Sequence, residues 1–424
     1  MTDTELPIFV VADDLTGAID TGIYFRGASR RVRVGLDKSR PWNLGLPTSF
    51  IQVYDSETRI LNPSKAREQV FSSVSRLMPS VLTRAYIYKK VDAALRGNIG
   101  VEIEAMLEAS KRNIAVLAPA FPTTQRTVID GQLLLHGMPI HETEFSKDPL
   151  HPILTSDIAT VVSRTSSYAV QRLPLSTIRA GIDAIRDFLI WDSPIPRIYI
   201  ADTESDPDLA LLASAVGPSR SVLSCGSGGF ANALATVWVA NRPMADVSLP
   251  PKCDKVLIAI GSAHPSSHRQ FAHLQGHRNI YTTRVSPEAI IGDATPLLES
   301  VTRGILAANE SIVAVMLGDE RVMSQDPKRL TAGLARISRK KVAQWLQQDP
   351  ESRIGVMATG GDTVRSLAEE LGAVAVWPQG VLMPGIPWST MELPDTNIVL
   401  VSKAGSFGSE DTVASIARWM IASG

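Results

Sequence analysis

The chain has 424 residues, more than the roughly 250–300 at which a single hydrophobic core stops growing, so two domains are expected. Hydrophobic residues make up 44% and charged residues 20%, which excludes a largely disordered chain. Lys and Arg number 42 against 43 Asp and Glu, so no global field favours nucleic acid or an anionic membrane, and any anion site must be local.

Short runs rich in Val and Ile alternate with segments of helical period. Strands are expected at 8–11 (IFVV), 49–54 (SFIQVY), 85–88 (AYIY), 114–118 (IAVLA) and 197–201 (RIYIA), with helices between them, including 101–111 and 177–189. The stretch 241–255, NRPMADVSLPPKCDK, is polar and carries three prolines. It separates a first domain, 1–245, from a second, 246–424. The alternation then resumes with strands expected at 256–261, 311–317, 353–359 and 397–402. This pattern predicts an α/β fold in two domains, each with a mainly parallel sheet flanked by helices. The opening MTDTELPIFVVADD lacks a signal peptide's basic flank and apolar stretch, and no apolar run approaches the ~20 residues that span a bilayer. Cys225 and Cys253 are too few for a disulfide framework and are expected as reduced thiols, so a cytoplasmic location is anticipated.

Three junctions in the second half share one design, an apolar strand running into small residues and then a helix. They are GSAHPSSHRQF (261–271), ATGGDTVRSLAEEL (358–371) and SKAGSFGSEDTVASIARW (402–419). In a parallel sheet such turns gather at the carboxyl ends of the strands, where ligands bind. Gly360, Gly361, Gly405 and Gly408 let backbone N–H groups approach a phosphate, helix starts add their dipoles, and Lys403 offers a positive charge. A carboxylate beside a phosphate is repulsive, so Asp362 makes sense with Mg²⁺ or as a proton acceptor. There is no GxxxxGK[ST], which excludes a Walker-type NTPase. The plain alternative is that the glycines only make turns and that Asp362 and Ser409 only cap helices.

The first half opens with its own strand-to-helix junction, IFVVADDLTGAIDTG, which sets Asp13 and Asp14 at a strand end. Asp55 and Arg59 follow a second strand, and Lys89, Lys90, Asp92 and Arg96 follow a third. A cleft of Asp, Arg and Lys suits a small polyhydroxy acid, because the guanidinium fork matches a carboxylate. Rival signals are weaker. GSGGFA (226–231) matches a dinucleotide fingerprint but lacks a long preceding strand and falls late in its domain. His264, His268, His273 and His277 contain two i, i+4 pairs, but HPSSH lacks a zinc protease's glutamate, and Pro265 is expected to start a helix that leaves His264 outside.

Taken in order, ADDLTGAIDTG, YKKVDAALRGNIG, APAFPTTQRT, TEFSKDPLHPI, GSAHPSS, ATGGDT and SKAGSFG resemble the four-carbon acid sugar kinases, ATP-dependent kinases of tetronates such as threonate, erythronate and 3-oxo-tetronate. The resemblance runs from about Phe9 to Thr412. It implies an acid-sugar-binding N-terminal domain, a nucleotide-binding C-terminal domain, and an active site in the cleft between them. Asp14, Arg59 and the Lys90–Val91–Asp92 segment would then contact the acid sugar, with Lys89 and Arg96 beside them. Ser262, Gly360, Gly361, Asp362, Thr363, Lys403 and Gly405 would serve the nucleotide. Asp362 is the first candidate for base or Mg²⁺ positioning and Asp14 the second. ATP and Mg²⁺ are the implied cofactors, a sugar acid the partner, and a homodimer the assembly to consider. The chain departs from the family's K-x-D-S-T-x-R-G at Ala93 and Ala94, and carries Gln125 and Ser406 where glycine is usual. A nicotinamide-dependent sugar-acid oxidoreductase using GSGGFA, or a non-catalytic sugar-acid sensor, are the readings from other classes.

Overall fold

The computed structural model describes residues 6–27, 30–37, 42–43, 50–148, 152–191, 194–239, 249–291, 295–318 and 326–421. The chain divides into two compact units, Met1–Met244 and Ala245–Gly424. Most of the expected linker, 241–248, lies outside the described residues.

In the first unit the strands are β1 (Ile8–Ala12), β2 (Arg31–Gly35), β3 (Phe50–Asp55), β4 (Tyr86–Lys90), β5 (Ile114–Ala118), β6 (Arg126–Ile129), β7 (Gln132–Leu135), β8 (Met138–Pro139), β9 (Ala169–Leu173), β10 (Arg197–Ala201) and β11 (Val222–Gly226). A parallel sheet runs β2-β3-β1-β4-β11-β5-β10-β9, and β6–β8 form a small antiparallel sheet apart from it. β1 and β5 are buried along their whole length, which is why their sequences read as continuous apolar runs. The chain passes from one side of β1 to the other between β3 and β4. The sheet's order therefore reverses at β1, and a ligand crevice is expected beyond its carboxyl end.

The second unit continues with β12 (Lys255–Ile260), β13 (Ile280–Val285), β14 (Ile312–Leu317), β15 (Ile354–Thr359), β16 (Ala375–Met383), β17 (Ile386–Glu392) and β18 (Asn397–Lys403). Its order is β13-β14-β12-β15-β18-β17-β16, parallel from β13 to β18 and antiparallel across β17 and β16. The three small-residue junctions follow β12, β15 and β18, which are neighbours, so their turns emerge side by side.

Three details differ from the sequence expectation. The single helix expected at 177–189 is two, Leu175–Arg179 and Ile182–Phe188, because Gly181 takes φ +111°, outside any helical conformation. GSGGFA does follow a strand, β11, whose Ser and Cys interrupt the apolar run at sequence level. β2, β9 and β13 escape an apolar-run search because each carries exposed or half-buried polar residues.

Candidate functional site

At the carboxyl end of β1, Asp13 and Asp14 meet Arg59, which arrives from the turn after β3. Arg59 donates from Nε to Asp13 Oδ2 at 2.7 Å, from Nη1 to Asp14 Oδ2 at 3.0 Å and from Nη2 to Asp14 Oδ1 at 2.8 Å. Asp14 also N-caps the helix Leu15–Tyr24, its Oδ1 accepting from Gly17 N at 2.9 Å. Burial pushes the Asp13 carboxyl up, but Arg59, Lys90 and Lys89 more than offset this, and it stays below its ordinary value. The same carboxylates outweigh burial at Arg59 and hold its guanidinium well above the ordinary range.

The loop after β4 closes on Asp92. Its Oδ2 accepts from Ala94 N, Arg96 N and Arg96 Nε, and its Oδ1 from Arg96 Nη2. Arg96 and Arg59 overcome the burial of Asp92 and hold its carboxyl well below the usual range. The many donors support a costly backbone, since Leu95 sits in the left-handed region at φ +64°. Arg96 also reaches Asp148 at 3.3 Å.

β4 alternates its lysines across the sheet. Lys89 forms a buried ion pair with Glu102 at 2.7 Å and donates to its neighbour's carbonyl, so its charge is consumed inside the fold. Lys90 points to the helix Leu15–Tyr24, where a Cβ on Gly17 would fall 2.5 Å from Asp14 Oδ1 and 2.9 Å from Lys90 Nζ. One turn along the same helical face lies Asp20. Burial raises its carboxyl to about 6, with Lys90 acting against the rise.

Sequence reasoning passed over two residues here. Asp20 stands within the quoted ADDLTGAIDTG, three residues after Gly17, and that spacing was the available signal. Arg126 lies within APAFPTTQRT; it is buried, its guanidinium lies 5.7 Å from the Phe145 ring centroid, and burial pushes it down to about 10. Gln125 adopts φ +60°, a conformation that glycine takes without strain, which explains the residue usual at that position. Ser406 has no positive φ, so glycine is not required there.

In the second unit the three turns converge. The helix Gly361–Leu371 starts from Gly360, whose φ of +99° demands glycine, and no side chain caps it, so its first N–H groups keep donor capacity. Asp362 stands in the first turn, with Gly360 in the capping position it was offered as an alternative. Ser262 lies against both neighbouring turns. A Cβ on Gly360 would fall 3.5 Å from Ser262 Cβ, and one on Gly405 would run into Ser262 Oγ and lie 3.1 Å from His264 Cβ. Thr363 is buried beneath Gly261. Ser262, Gly360, Gly361, Asp362, Thr363 and Gly405 thus belong to one patch of backbone and small side chains.

Lys403 is placed differently from the direct phosphate contact its sequence position suggested. Its buried ammonium donates to the carbonyls of Ala404 (2.9 Å), Gly405 (3.3 Å) and Phe407 (2.9 Å) and so braces the loop from beneath. Burial pushes it down to about 7, while the carbonyl acceptors favour its charged form. Gln270 braces the next stretch through the carbonyls of Phe407, Gly408 and Ser409. His264 caps the helix Pro265–Gln275, its Nδ1 accepting from Ser266 N.

Among the described residues, no three His, Cys, Asp or Glu side chains gather into a metal cage. Magnesium bound with a nucleotide needs none, since it keeps several waters and takes one or two carboxylates plus phosphate oxygens. No described helix is long and apolar enough to cross a membrane.

A family profile described as a sugar-binding N-terminal domain matches residues 8–234, and one described as a nucleotide-binding C-terminal domain matches residues 257–413. A D-threonate kinase of Salmonella typhimurium is 30% identical, with 96% of this chain and 97% of that protein covered. A D-erythronate kinase of Heliobacterium modesticaldum is 25% identical over 98% and 97% of the two chains. A crystal structure from Salmonella typhimurium LT2, described as that of a tRNA synthase, shares the fold with a TM-score of 0.74 at 19% identity, covering 98% of this chain and 99% of that one.

Proposed function

The chain belongs to the four-carbon acid sugar kinase family, and from that premise we propose that it transfers the γ-phosphoryl group of ATP to the terminal hydroxyl of a four-carbon sugar acid, threonate-type first. The observation that carries the reading is the convergence of three glycine-rich turns and an uncapped helix start on adjacent parallel strands. Backbone N–H groups and a helix dipole there suit a polyphosphate and no other common ligand class so well.

In this reading the hydroxyl oxygen attacks the γ-phosphorus, the bond to the bridging oxygen breaks, ADP leaves, and the hydroxyl proton passes to a carboxylate. Asp14, fixed by the Arg59 fork and the helix N-terminus, orients the attacking hydroxyl. Arg59 acts through the aspartates, because three of its N–H groups are spent on them. Lys90 supplies positive charge to the acid sugar, Val91 and Asp92 shape the loop with Arg96, and Lys89 supports from the opposite face. Ser262, Gly360, Gly361, Thr363 and Gly405 line the phosphates, with Lys403 holding their loop in shape. Mg²⁺ bound with ATP would neutralise charge on the phosphates, and Asp362, in the first turn of the helix Gly361–Leu371, is the carboxylate that would hold it. Phosphoryl transfer has a loose transition state and asks little of a strong base, so positioning supplies most of the rate.

Coupled measurement of ADP release with D-threonate, D-erythronate and their 3-oxo counterparts tests the assignment. Turnover of one of them, dependent on Mg²⁺, is expected; protein that binds ATP yet turns over none would sink it.

A further inference from the structure

Asp20 and Lys90 are opposite charges at one helix, Leu15–Tyr24, which carries Asp20 and meets Lys90 Nζ at Gly17, and each is more than nine-tenths buried, with 9% and 5% of their surface exposed. Among the described residues neither side chain has a hydrogen-bond or ion-pair partner, although each lies within the other's field. Leaving two charges buried and unbonded is expensive, since the penalty of several kcal/mol per ion is recovered only through close partners. The surroundings make the gap between them specific. Asp20 Oδ2 lies 3.0 Å from where a Cβ on Gly228 would stand, against the first turn of the helix Gly228–Trp238. The rings of Tyr24 and Phe121, edge to face at 6.3 Å, lie against the same turn, within 3.1 Å of that Cβ position. On the other side, Lys90 shares Gly17 with Asp14. The GSGGFA turn is thereby closed to a dinucleotide, whose pyrophosphate would have to settle on a carboxylate.

We propose that Asp20 and Lys90 form a hydroxyl-reading subsite of the acid-sugar pocket, in which one secondary hydroxyl of the substrate donates to Asp20 and accepts from Lys90. A hydroxyl is the group that completes both at once. A carboxylate would satisfy Lys90 and face Asp20 in repulsion, and an ammonium would do the reverse. The subsite therefore favours a hydroxyl over a carboxylate at this position, and senses the configuration at the carbon bearing that hydroxyl. D-threonate and D-erythronate, the substrates in the names of two relatives, differ in the configuration of a single secondary hydroxyl.

The inference rests on the kinase reading, and one set of kinetics separates the two. Wild type, Asp20→Ala and Asp20→Asn are assayed with D-threonate, D-erythronate, and their 2-deoxy and 3-deoxy analogues. With wild type, one monodeoxy acid is expected to be about 10–100-fold poorer in kcat/KM than its parent, the scale of a hydrogen bond to a charged group. With Asp20→Ala that gap closes, because the parent falls to the level of the analogue, and Asp20→Asn lies between. KM for ATP stays within about twofold in both variants, which shows that the protein is folded and that the loss is confined to the acid sugar. A deoxy penalty of equal size in wild type and Asp20→Ala, no deoxy penalty in wild type with either analogue, or an unchanged KM of Asp20→Ala for the parent acid overturns the subsite and leaves the kinase standing. Wild type that phosphorylates none of the four-carbon acids overturns both.

Discussion

The two units build their binding surfaces from opposite materials. In the first, β1, β3 and β4 deliver charged side chains, Arg59–Asp14 and Arg96–Asp92 are locked in bidentate pairs, and Arg59 also holds Asp13 through Nε. In the second, β12, β15 and β18 deliver backbone and small side chains, and the one buried lysine of the glycine turns bonds its own loop. The contrast follows from the ligands each unit would take. A small polyhydroxy acid offers few atoms, so each must be met by a directed group, whereas a polyphosphate is met well by N–H groups at a helix start. The first surface should fail through uncompensated charge and the second through lost space.

The largest expected effect is Asp362→Asn, which should lower kcat by about 10²–10⁴-fold while leaving KM for the acid sugar nearly unchanged. A steady-state comparison with Asp14→Asn checks this, since that variant should raise the acid's KM as well. Next comes Arg59→Met, which strands Asp13 and Asp14 without their partner and should cost about 3–5 kcal/mol. Hydrogen exchange resolved by peptide should show the loss in β1 and β3 and not in β12 or β15. Gly405→Ala drives a methyl into Ser262 and should cost about 1–3 kcal/mol, read mainly as a higher KM for ATP.

Both units should gain stability as pH rises, but across different intervals. Asp13 and Asp92 have folded values below their unfolded ones, so their contribution is complete above the ordinary carboxylate range and is lost as pH falls below it. Lys403 is depressed to about 7 from 10.5, so the unfolded chain binds the extra proton between those values and stability rises with pH across that interval. Denaturant titrations of wild type and Lys403→Met from pH 6 to 10 check the second arm, which should flatten in the variant. The smallest effect is Gln125→Gly. It relieves a left-handed φ of +60° but adds freedom to the unfolded chain, and a shift in melting temperature worth no more than about 1 kcal/mol is expected.

Much of this was legible in the residues. Strands buried on both faces announce themselves as runs of Val, Ile and Ala, so β1, β5, β12, β14 and β15 were readable, as was the helix after ATGGD through Val364, Leu367 and Ala368. Edge strands such as β9 and β13 were hidden because they carry exposed or half-buried polar residues, Gln and Arg in one and Thr and Arg in the other. Charged residues at strand ends marked Asp14, Arg59 and Lys90 as candidates, since a carboxyl end of a parallel strand is where ligands bind.

Which partner each charge takes was beyond any local pattern. Lys89 and Lys90 are adjacent in sequence and identical in type, yet one is consumed by Glu102 and the other faces Asp14 and Asp20, because successive residues of a strand point to opposite faces of the sheet. Lys403 follows a strand as a phosphate-binding lysine would, but burial and three nearby carbonyls turn its ammonium back to its own loop. Composition, alternation and motif order carry the fold class, the division of labour and the family, because these are properties of the chain read in one dimension. Charge pairing depends on distances across strands far apart in sequence, and those distances exist only once the sheets have formed.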